Sequence, residues 1–195
     1  MNFAQVWFTG YISPARFVDA LKSKPAPRWG FYAQVLRSLM DSLLLYLPVA
    51  LLGRHPPTPS YLTFIPTDQY YMTLIWLTPL VFMVEWLLGA VVIHAGLRLS
   101  KLPSDIDQIL NLTGMAGLVI AAFLVLWDWF WFAMGGANQY FLGISHLVID
   151  IWWFVLVVTG LKRLCGVPIR FGILMSILGF AAAMPFAIIF MRAPF

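Results

Sequence analysis

Five stretches of this chain, residues 31–53, 70–97, 109–134, 140–161 and 171–191, carry few charges, and each exceeds the roughly 20 residues that a helix needs to cross the hydrocarbon core of a bilayer. Helices this apolar need either a large polar shell or lipid around them. A chain of 195 residues, 62% hydrophobic and 10% charged with mean hydropathy +0.86, has no residues to spare for such a shell. The expected fold is therefore an all-α membrane protein, a bundle of five transmembrane helices. A β-barrel would need segments of about ten residues alternating in polarity, and these runs do not alternate. The same composition excludes a soluble enzyme, a disulfide scaffold and a nucleic-acid binder, despite a net charge of +4 and a pI near 9.4. The single Cys165 allows neither an internal disulfide nor a CxxC pair.

Two regions follow: a segment over residues 1–30 and a membrane domain over residues 31–195. In the first, Phe3, Val6, Trp7 and Tyr11 recur at helical spacing, and Ser13-Pro14 then starts a second helix carrying Phe17, Val18 and Leu21. Both predict short amphipathic helices lying in the interface, as an anchor for the first span or a docking surface for a partner or anionic lipid. The segment lacks the basic start and apolar centre of a cleavable signal.

Orientation comes from the basic residues. Arg16, Lys22, Lys24, Arg28, Arg98, Lys101, Lys162, Arg163 and Arg170 fall on one side of a five-span topology, and only Arg54 and Arg192 on the other. Cytoplasmic flanks collect Lys and Arg, which places the N-terminus in the cytoplasm, the C-terminus outside, and Cys165 in a cytoplasmic loop. Trp127, Trp129, Phe130, Trp131 and Phe132 gather at the outer end of the third run as an aromatic belt, whereas Trp152 and Trp153 lie deeper. Gly172, Ser176, Gly179 and Ala183 in the fifth run, with Gly117 and Ala121 in the third, form small-residue faces for close helix contact. The contact could be within the chain, with another membrane protein, or with a second copy. Pro48, Pro79 and Pro185 predict kinks.

An ionisable side chain inside lipid costs several kcal/mol, so each faces the bundle interior, a cavity or a partner. Arg37 and Asp41, four apart, are expected to form an intrahelical ion pair. Glu85 stands midway along the second run with His94 nearer its cytoplasmic end, Asp128 near the outer end of the third, and His146 and Asp150 four apart in the fourth. If these runs are neighbours, depth alone brings Glu85 towards Asp150 and Asp128 towards His146. Three readings of this cluster stay open: polar groups that hold the bundle, a proton or cation path, and metal ligation or intramembrane catalysis. No HExxH, GxSxG, GxxxxGK or GxGxxG is present. Ser145 and His146 are adjacent and point to different helix faces, so with Asp150 they make no triad. No catalytic residue, metal ligand or cofactor is expected.

Five spans, a basic N-terminal segment and a short outer C-terminus resemble the Yip1 domain family, bacterial branch. The stretches Asn111-Leu112-Thr113-Gly114-Met115, Leu126-Trp127-Asp128-Trp129, His146-Leu147-Val148-Ile149-Asp150-Ile151-Trp152 and Gly160-Leu161-Lys162-Arg163 carry the likeness. Eukaryotic members carry an Asp-Leu-x-Gly-Pro signature that this chain lacks. The resemblance implies a membrane-embedded adaptor or organiser in a bacterial inner membrane, with the lipid bilayer and other membrane proteins as partners and no catalytic residues. The alternative is a proton- or cation-conducting transporter or channel that uses Glu85, Asp128, His146 and Asp150.

Overall fold

A computed structural model describes residues 1–23, 27–56, 60–136 and 138–190, without the side chain of Gln139. Lys24, Met191 and Arg192 lie outside the described residues. The chain is all-helical, and five of its helices are long and apolar enough to cross a membrane. Two short helices come first, α1 (Phe3–Ile12) and α2 (Pro14–Lys22). The five long ones are α3 (Arg28–Leu51), α4 (Tyr70–Leu99), α5 (Ile106–Ala133), α6 (Gln139–Cys165) and α7 (Ile169–Phe190).

Local chemistry fixes the ends. Asn2 caps α1 through a reciprocal box with Gln5, Asp105 accepts the N–H groups of Asp107 and Gln108 at the start of α5, and Asn138 accepts that of Tyr140 at the start of α6. Gly166 closes α6 in the left-handed region, φ 65°. Here α6 runs four residues past the expected boundary, so Cys165 is the last helical residue and is buried, not a loop thiol open to solvent.

Helix α5 is the axis. Every residue from 111 to 121 is buried, because α3, α4, α6 and both short helices surround it. Lipid tails are as apolar as leucine, so close packing decides which helices meet, and glycine permits the closest approach. At the crossing of α3 and α5, a Cβ on Gly114 would stand 2.6 Å from the Gly30 carbonyl oxygen. At the crossing of α4 and α7, a Cβ on Gly179 would stand 2.9 Å from that of Gly89. The small-residue faces of α5 and α7 are thus used, at these crossings, within the chain.

The two short helices form over the expected residues and pack beside α5 and α6 as a hairpin. Phe3 meets Trp29 at one end, Tyr11 meets Phe123 at the other with ring centroids 5.2 Å apart, and Trp152 donates its indole N–H to the Gly10 carbonyl at 2.9 Å. Helix α2 returns, and Arg163 holds Asp19 with N–O distances of 2.7 and 2.9 Å. Val6, Phe17, Val18 and Leu21 are buried in the main core. The physical reason is that α1 carries no charged residue and has Gly10 facing Val119, so its apolar face packs closely against the neighbouring helix.

Candidate functional site

Between the long helices lies a cavity of about 800 Å³. Each helix supplies residues at helical spacing, three and four apart, so that one face of each turns inward. From α3 come Gln34, Arg37 and Asp41; from α4 Phe82, Glu85, Trp86 and Gly89; from α5 Ile120, Leu124 and Asp128; from α6 His146, Asp150 and Trp153; from α7 Gly179, Phe180 and Ala183. Six of the seven ionisable residues singled out from the sequence, Arg37, Asp41, Glu85, Asp128, His146 and Asp150, line this one cavity. His94 does not; its Nδ1 lies 2.8 Å from the Ser104 hydroxyl.

Asp128 and His146 meet directly, Oδ1 to Nε2 at 2.8 Å, joining α5 to α6. The Asp128 side chain is only 7% exposed and His146 is 34% exposed, so the imidazole is the more accessible partner. Alongside them, Trp127 donates to the Ser145 hydroxyl at 2.8 Å, a second tie between the same two helices.

The expected pair between Arg37 and Asp41 is not formed: among the described residues the ion pairs are His146–Asp128 and Arg163–Asp19. Backbone geometry explains the difference. Residues Met40–Tyr46 wind as a π-helix, whose wider turn begins between the two residues and carries Asp41 off the stack that four-residue spacing gives in an α-helix. Arg37 instead lays its guanidinium over the Phe82 ring, 4.2 Å from the centroid. Gly117 makes room for it: a Cβ there would stand 2.9 Å from Gln34 Nε2 and 3.2 Å from Arg37 Nη1.

The π-helix is followed by Pro48, which has no N–H to return to the Leu44 carbonyl four residues back. Trp129 supplies a donor, its indole N–H reaching Leu44 at 2.7 Å. One residue of the aromatic belt thereby braces the helix that carries Arg37 and Asp41.

Polar satisfaction around the cavity is uneven. Gly30 N–H donates to Asn111 Oδ1 at 2.9 Å, Gln34 Nε2 to the Gly114 carbonyl at 3.2 Å, and Trp86 Nε1 to the Leu110 carbonyl at 3.0 Å. Glu85 Oε1, Gln34 Oε1 and Arg37 Nε are buried and have no partner. A buried polar atom left without a hydrogen bond is costly, and a ligand or water in the cavity is what would satisfy it.

Sequence reasoning missed Gln34 and the cavity's aromatic wall of Tyr46, Phe82, Trp86, Trp153 and Phe180. A signal was available for the first, because Gln34 lies three residues before Arg37 and seven before Asp41, on one helix face. No signal distinguished the aromatic wall from aromatics facing lipid. The chain matches no family profile, no curated protein and no solved structure.

Proposed function

We propose that this chain is an integral, multi-pass membrane protein that carries protons or cations through the cavity among its five long helices. One observation carries the reading. Six ionisable side chains drawn from four helices line a single cavity of about 800 Å³, where only His146 and Asp128 pair with each other. A set of polar groups serving only to hold helices together would be close-packed and mutually satisfied. Large apolar side chains cover the outside, among them Trp76, Leu80, Leu126 and Val148, each more than 60% exposed, a surface suited to lipid and not to water. The split of basic residues supports a cytoplasmic N-terminus and an outer C-terminus, and the family resemblance supports a bacterial inner membrane.

A Yip1-like adaptor is the second reading. It draws on the resemblance above and on Phe8 and Ile12, which α1 leaves 61% and 84% exposed as a surface for another membrane protein. The cavity weighs more, because an adaptor has no use for a buried carboxyl oxygen without a partner, as at Glu85.

Reconstitution into liposomes under an imposed potential or pH gradient tests the first reading. Native protein should pass protons or a monovalent cation, and Glu85→Gln and Asp150→Asn should each lower the flux at least tenfold while the helical signal is retained. Absence of flux, or full flux in both variants, overturns it.

A further inference from the structure

The lining of the cavity limits what it can hold. Its unpartnered buried atoms include two acceptors, Glu85 Oε1 and Gln34 Oε1. Glu85 is 9% exposed and Gln34 1%. Acceptors without donors call for a ligand that brings N–H or O–H groups. Arg37 Nε is also unpartnered, yet its guanidinium lies against the Phe82 face, and among the described residues Arg37 is the only side chain of permanent positive charge lining the cavity, beside four carboxyl groups. An anion would meet those four groups, and a neutral molecule would leave uncompensated the three that have no ion-pair partner among the described residues, Asp41, Glu85 and Asp150.

Size and wall material narrow the class further. A volume of about 800 Å³ suits a small organic molecule and far exceeds a bare ion. Among the described residues no three His, Cys, Asp or Glu side chains converge to hold a metal ion. The wall is mostly apolar and includes aromatic rings, with Trp153 and Phe180 5.9 Å apart between ring centroids on α6 and α7, and Trp86 on α4. Aromatic faces attract cations and cover apolar bodies, and Arg37 over Phe82 is an instance of that attraction inside this cavity.

We infer that the cavity binds an organic ammonium ion, its N–H groups donating to Glu85 and Gln34 and its apolar body lying against the aromatic wall. This deepens the transport reading and rests on it for the route by which the ion leaves. The ammonium could belong to a free amine or to an amine-bearing lipid headgroup, and the chemistry of recognition is shared.

The full chain purified in uncharged maltoside micelles provides the test, with phenethylamine as the probe in titration calorimetry. Phenethylamine should bind saturably, while 2-phenylethanol, of similar shape without the charge, and 3-phenylpropanoate, of opposite charge, should bind at least tenfold more weakly. Glu85→Gln should lose at least tenfold in affinity and Phe180→Leu at least threefold, whereas Asp19→Asn, outside the cavity, should bind as the native chain does. Phosphatidylethanolamine added to the micelles should compete if the occupant is a headgroup; indifference to it assigns the site to a free amine. Equal binding of the alcohol, or unchanged affinity in both Glu85→Gln and Phe180→Leu, overturns the inference. Flux of an inorganic cation without phenethylamine binding overturns the ligand class and leaves the transport reading standing. Binding without flux of any cation does the reverse.

Discussion

Substituting Gly30 by alanine tests the crossing on which the cavity is hung. The added Cβ would run into the backbone carbonyl of Leu110, with the carbonyl carbon 2.8 Å away and the Asn111 Cα 3.0 Å away. Backbone cannot swing aside as a flexible side chain can, so α3 and α5 must separate. Overpacking costs about 1–3 kcal/mol, and backbone contact puts this case at the upper end. Separation also weakens the buried hydrogen bond from Gly30 N–H to Asn111, 2.9 Å long, worth about 1 kcal/mol. Alanine's better helix propensity offsets roughly 0.5–1 kcal/mol. The net loss is about 2–3.5 kcal/mol, and at about 2–4 °C per kcal/mol for a chain of this size the melting temperature should fall by roughly 4–14 °C. Thermal unfolding in detergent, followed by circular dichroism, measures it. Gly143→Ala is the matched control: its Cβ would meet nothing within 4 Å, so that variant should be unchanged or slightly more stable. A Gly30→Ala protein as stable as Gly143→Ala would show that α3 and α5 do not cross at these glycines.

Two further outcomes are expected. Cys165 is buried, so a membrane-impermeant maleimide should react slowly with the native protein both before and after lysis; Cys165→Ala with Ser100→Cys, an exposed position on the same side, should label only after lysis, and labelling in sealed right-side-out cells would reverse the orientation. The Arg163–Asp19 pair is about half exposed, so Asp19→Asn should cost no more than about 1 kcal/mol of global stability. Amide exchange in α2 should nonetheless quicken, since the pair is the polar tie at that end of the hairpin; exchange unchanged from the native chain would show that apolar packing alone holds α2 down.

The five long helices were legible in the sequence because hydropathy and length are properties of consecutive residues. Nothing distant alters whether residues 109–134 are apolar. The inward faces were partly legible for a related reason: side chains three, four and seven apart share a helix face, and a charge in a lipid-sized helix has few places to go. That argument found Glu85, Asp128, His146 and Asp150, and depth matching anticipated the contact of Asp128 with His146. The same local reasoning failed at Arg37 and Asp41, where it assumed α-helical winding; the π-helical turn that parts them sits just before Pro48 and is braced by Trp129, a residue of a distant helix. For the N-terminal segment, apolar spacing found the two short helices but could not reveal that Gly10 lets α1 approach Val119, or that Phe123 on α5 and Trp152 on α6 hold it alongside those helices. The cavity itself belongs to tertiary structure alone. Its existence depends on glycine pairs in helices far apart in sequence, Gly30 with Gly114 and Gly89 with Gly179, which fix how closely some helices approach and so how much space is left among the others.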